Sequence, residues 1–144
     1  MNEDGQVTNT TDGSPKAFRS EVAVGIMRVD GLYSLDSPFG RTANATTRAL
    51  VYAKSATKLV LNVDASAGGA VWVELREPGS NALLMGPSQP ITHSSVRAEV
   101  VWPQQVAQIG GKIGKMRNVA QLAGLPIVVR FVMEQAKLYT FGFQ

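Results

Sequence analysis

Along most of the chain, apolar and polar side chains alternate with a period of two, the repeat of a strand that buries one face. In residues 58–65, Leu59, Leu61 and Val63 share one side, while Asn62 and Asp64 share the other. The next run places Val71, Val73 and Leu75 inward and Trp72, Glu74 and Arg76 outward. Val96, Ala98, Val100 and Trp102 oppose Arg97 and Glu99, which assigns Trp102 to the core. Ile127, Val129, Phe131 and Met133 oppose Arg130 and Glu134 in the same way. Turn-forming residues separate these runs at short intervals. Residues 64–69 predict a hairpin, and Glu77-Pro-Gly-Ser-Asn81 predicts another. Asp30-Gly31 links a strand over 22–28 to one over 32–35, and Gln135-Ala136 joins the last two strands. Eight or nine short strands with polar turns predict an all-β fold: an antiparallel two-sheet sandwich, jelly-roll-like.

Two stretches break this rhythm. Residues 1–20 are rich in Asn, Thr, Asp, Gly and Ser and read as a flexible leader, with the sandwich domain spanning 21–144. In residues 104–124, Val106, Ile109, Ile113, Val119 and Leu122 have partly helical spacing. Gly110, Gly111 and Gly114 weaken any helix there. One long irregular Gly-rich connection with a single helical turn is expected.

Composition narrows the chemistry. With 144 residues, 44% hydrophobic and 17% charged, the chain suits one core rather than two. Cysteine is absent and His93 is the only histidine, so thiol chemistry is excluded and a histidine relay is disfavoured. Fourteen Lys+Arg against eleven Asp+Glu give +3, scattered rather than gathered in the stripe that nucleic-acid binding needs. The one local cluster, Lys112, Lys115 and Arg117, reads as a solvated loop or an anion-binding loop. No apolar run reaches the roughly 18 residues of a membrane span. The first residues lack the basic and apolar regions of a signal peptide, and the compartment stays open.

Motifs for catalysis fail on inspection. Gly110-Gly-Lys-Ile-Gly-Lys115 resembles a phosphate loop, yet Val106 and Ile109 stand where its first glycine belongs, and Ile113 and Met116 where Ser or Thr should follow. No serine lies in a Gly-x-Ser-x-Gly elbow, which leaves His93 as a loop residue. Asp30, Asp36, Asp64 and Glu74 could pair as glycosidase carboxylates or hold calcium, but turn chemistry is the default for Asp30 and Asp64. No catalytic residue, metal site or cofactor is expected. Trp72 is the anomaly: a large aromatic on a polar sheet face between charged neighbours. Such an indole either packs under a loop or on the Arg76 stem, or stacks on a sugar or a protein partner.

Several segments keep a familiar order. They are Arg28-Val-Asp-Gly-Leu-Tyr-Ser-Leu35, Thr46-Thr-Arg-Ala-Leu50, Leu59-Val-Leu-Asn-Val-Asp64 and Val71-Trp-Val-Glu-Leu75, then Val100-Val-Trp102, Pro126-Ile-Val-Val-Arg-Phe131 and Ala136-Lys-Leu-Tyr-Thr-Phe141. Together they resemble the C-terminal β-sandwich accessory module of bacterial glycoside-hydrolase-like and sialidase-like proteins. That family runs from Gly-Lys directly into its Pro-Val-Arg strand, whereas here Gly124-Leu-Pro126 leads in and 113–124 looks inserted. The resemblance implies a non-catalytic module that packs on a catalytic propeller, contacts carbohydrate and works in an extracellular or periplasmic setting. It brings no catalytic residues.

Two functions are therefore expected. The leading one is a non-catalytic carbohydrate-binding or accessory module, with Trp72 stacking, Glu74 accepting hydroxyls and Arg76 donating to them. The alternative is a structural protein that assembles with copies of itself or with a partner domain, motivated by short edge-prone strands and low charge.

Overall fold

Eight strands pair into two four-stranded antiparallel sheets, and two further strands pair only with each other as a hairpin. The structure is a computed structural model that describes residues 24–103, 105–109, 112–116 and 119–144, with backbone only for 105–109 and 112–116. The leader expected at 1–20 lies outside the described residues. In chain order the strands are β1 (Leu35–Asp36), β2 (Thr42–Thr46), β3 (Leu59–Asp64), β4 (Ala70–Arg76) and β5 (Leu83–Met85). They continue with β6 (Ser95–Glu99), β7 (Gln105–Ile109), β8 (Lys112–Met116), β9 (Val128–Glu134) and β10 (Lys137–Phe143).

One sheet has the order β1-β10-β3-β6 and the other β2-β9-β4-β5. Within the sandwich, only β4 and β5 are consecutive strands of one sheet; every other connection crosses between the sheets. Rolled up in this way, the eight strands form the paired Greek keys of a jelly roll. β7 and β8 pair with each other in the connection between β6 and β9. The stretch expected to be irregular thus carries a hairpin, followed by the single helical turn, a 3-10 turn at Val119–Leu122.

The inner faces follow the alternation of the sequence. Leu59, Leu61, Val63, Val71, Val73, Leu75, Val129, Phe131 and Met133 are buried between the sheets. Trp102 joins them, its indole Nε1 donating to the Val73 carbonyl at 3.1 Å. Tyr52 is buried, stacks on Phe143 with ring centroids 3.9 Å apart, and donates its hydroxyl to the Val119 carbonyl. Burial pushes the Tyr52 phenol up to about 12, so it stays a donor.

Four expectations are corrected. Residues 64–69 do not close a hairpin: β3 and β4 belong to different sheets, so this turn arches across the sandwich. The same residue types serve either purpose, because they bend the backbone without choosing its next partner. Residues 24–28 form no strand, and pairing near 32–35 is confined to Leu35 and Asp36. Val96 is not inward. The β3–β6 register shifts between Leu61 and Val63, so Ser95 and Ala98 keep their places while Val96 turns out to solvent.

The fourth correction is Asn62, expected on a polar outer face and in fact only 3% exposed. The chain before β1 lies over it. Arg28 donates through Nε to Asn62 Oδ1 at 2.5 Å, through Nη1 to Ser94 Oγ at 2.8 Å and through Nη2 to the Val63 carbonyl at 2.7 Å. Its guanidinium also sits 5.0 Å from the centre of the Tyr139 ring. Asn62 Nδ2 in turn donates to the Val29 carbonyl at 2.6 Å. These bonds strap residues 28–29 to the outer face of the first sheet.

Candidate functional site

The antiparallel register of β2, β9 and β4 fixes which outward side chains become neighbours. Trp72 pairs with Val132, which pairs with Asn44; Glu74 pairs with Arg130, which pairs with Thr46. One row nearer the turns, Ala70 pairs with Glu134, which pairs with Thr42. Directly paired residues share a face and adjacent strands run about 4.8 Å apart. The outer face of this sheet therefore gathers Asn44, Trp72, Glu74, Arg76 and Arg130.

Trp72 is half-buried, neither sealed by its own polypeptide nor fully free. Ala70, next on the same face of β4, carries only a methyl group. The Trp72 Nε1 has no hydrogen-bond partner among the described residues.

Glu74 and Arg76 do meet, as their spacing on one face predicts. Glu74 Oε2 accepts from Arg76 Nε at 2.9 Å and lies 2.9 Å from Arg76 Nη2. The same oxygen is 3.6 Å from Arg130 Nη1. Arg76 Nη1 donates to the Asn81 carbonyl at 2.8 Å, which ties the β4–β5 turn to the face. One carboxylate thus holds two guanidiniums, half-buried and already ordered, with a net charge of +1 on the cluster. Fixed donors beside an indole are suited to hydroxyl-bearing ligands, because little side-chain freedom remains to be lost on binding.

Arg130 is the member of this cluster missing from the sequence-derived set. Its outward phase on β9 was legible; its position opposite Glu74 depends on the register between two distant strands. Lys112 and Lys115 lie on β8, but their side chains, and all of Arg117, fall outside the described residues. His93 is an exposed residue between strands. No group of three metal-ligating side chains occurs among the described residues. No described helix is long and apolar enough to cross a membrane.

At the turn end of the Trp72 face, Gly40, Arg41, Thr42, Glu134 and Gln135 line a pocket of about 210 Å³. Thr42 Oγ1 donates to Glu134 Oε1 across it at 2.9 Å. Gln135 also borders a second pocket, of about 260 Å³, around the tip of the sandwich. Comparison with known proteins adds nothing to this geometry: no family model matches the chain, and neither a curated protein nor a solved structure does.

Proposed function

We propose that the protein is a non-catalytic carbohydrate-binding module whose ligand lies on the outer face of the β2-β9-β4-β5 sheet. The observation that carries this reading is the half-buried Trp72 beside the ion cluster of Glu74, Arg76 and Arg130. An indole offers the flat apolar surface on which the C–H face of a sugar ring rests. The guanidiniums donate to hydroxyls, and Glu74 accepts from them through Oε1, since its ion contacts fall on Oε2. Glu74 is ion-paired with two arginines and Glu134 is bonded to Thr42, which supports a binding role for this face over a catalytic one.

Titration of a soluble glycan panel by calorimetry tests the reading. Trp72→Ala should weaken the tightest glycan by about 30-fold, the effect of losing a stacking residue worth roughly 2 kcal/mol. Unchanged affinity, or a panel with no binder, sinks it.

A second reading, assembly with another copy or with a partner domain, is favoured by a different observation. Val24, Ile26, Leu32 and Tyr33 are each at least 74% exposed on the segment that leads into β1. Among the described residues, β10 beyond Leu138 has β3 on one side and no strand on the other. An apolar strip together with an open strand edge is the combination through which sheet proteins associate. Light scattering across a concentration series should show a dimer or larger species; a monomer throughout would remove this reading.

A further inference from the structure

Two of the carboxylates noted in the sequence, Asp36 and Asp64, line a pocket at the tip of the sandwich, built from three turns that are far apart in sequence. The β1–β2 turn brings Ser37 and Phe39, the β3–β4 arch brings Ser66, and the β9–β10 turn brings Gln135. Asp36 and Asp64 flank Lys137 in one cross-strand row, because Lys137 pairs with Asp36 on one side and Asp64 on the other.

Two parts of the wall are held by internal hydrogen bonds. Ser37 N and Oγ both donate to the Ala136 carbonyl, at 3.0 and 3.2 Å, and Ala136 N donates back to Ser37 Oγ at 2.8 Å. Asp64 Oδ1 accepts from Ser66 N at 3.0 Å and from Ser66 Oγ at 2.6 Å, which leaves Oδ2 for another partner. Lys137 Nζ stands 3.3 Å from Asp36 Oδ2 and keeps further donors. Phe39, at the rim, is 89% exposed.

We infer that this pocket binds one neutral hexose residue, with the sugar ring against Phe39 and its hydroxyls bridging Asp64, Lys137 and Asp36. Acceptor, donor and acceptor alternate along the row, and a hydroxyl can donate to a carboxylate while accepting from an ammonium. The volume of about 260 Å³ falls just below the roughly 300 Å³ where drug-sized sites begin, which suits a single ring. Among the lining residues two carboxylates face one ammonium, a balance of −1 that disfavours uronic and sialic acids, while Arg28 acts on Asp64 from beside the pocket. Both carboxylates are held below their ordinary value, Asp36 chiefly by the Ser34 hydroxyl and Asp64 chiefly by the Ser66 hydroxyl, so they remain acceptors in mild acid.

The inference extends the carbohydrate reading to a second position and is separable from it. The pocket at the turn end of the Trp72 face and the tip pocket share Gln135. The test is amide mapping by NMR on the labelled full chain, titrated with millimolar D-glucose, D-galactose, D-mannose and D-glucuronate. At least one neutral hexose should shift Ser66, Ala67 and Gln135, glucuronate should not, and Lys137→Met should weaken the neutral sugar at least tenfold with the fold intact. Glucuronate binding as well as the hexoses, or K137M leaving affinity unchanged, overturns the inference. So does silence at the tip. Oligosaccharides that then still shift the Trp72 indole preserve the sheet-face reading, and silence at both places removes both.

Discussion

Replacing Trp102 with alanine should cost about 3–5 kcal/mol of stability, the usual penalty for emptying a large buried aromatic site. The residue is 8% exposed and sits in the core although it lies beyond the end of β6. Its Nε1 and the Ser88 amide both donate to the Val73 carbonyl, at 3.1 and 2.9 Å. Trp102 therefore ties the segment after β6 to β4 and fills space as well. Trp102→Phe separates these contributions: it keeps most of the ring volume and loses the hydrogen bond, for roughly 1 kcal/mol plus a smaller packing loss. Urea unfolding followed by circular dichroism measures both. A loss below about 1 kcal/mol for the alanine variant would mean the indole is not part of the core.

Gly69→Ala should be nearly as damaging, about 3 kcal/mol, although it adds only one methyl group. A Cβ at position 69 would stand 2.2 Å from the Gln135 carbonyl oxygen and 2.3 Å from that of Glu134. Both atoms are backbone, so no side-chain rotation relieves the clash, and two turns must separate instead. For a domain of this size the melting temperature should fall by on the order of 12 °C. Gly142→Ala is the control. No atom lies within 4 Å of its Cβ position and its backbone is not left-handed, so its melting temperature should stay level or rise slightly. Equal melting temperatures for the two variants would show that the β3–β4 arch and the β9–β10 turn are not in contact. Gly69→Ala should also disturb the tip pocket, because Gln135 lines it.

What the sequence discloses about this fold is its local part. Alternation identified β3, β4 and β9, and the residues 77–81 closed the β4–β5 hairpin as their turn chemistry requires. The outward phase of Trp72, Glu74 and Arg76 followed from the same period of two. Long-range pairing escaped it. A hairpin turn and an arch between sheets use the same Asp, Ser and Gly residues, so 64–69 could not reveal its destination. The bulge that turns Val96 outward adds one residue to a strand and leaves no compositional mark. Asn62 is buried by Arg28, 34 positions earlier, and nothing near Asn62 announces that. For the same reason Arg130 opposite Glu74, and Lys137 between Asp36 and Asp64, became visible only with strand register.

The positions of β9 and β10 bear on how the molecule is made. Each sits inside its sheet, β9 between β2 and β4, β10 between β1 and β3. Until both have left the ribosome, neither layer exists as a continuous sheet, and the earlier strands wait without their central partners. Leu35 must find Leu138, more than a hundred residues later, the kind of distant pairing that makes folding slow. β9 and β10 complete both sheets, so the earlier strands depend on staying unaggregated until these two arrive.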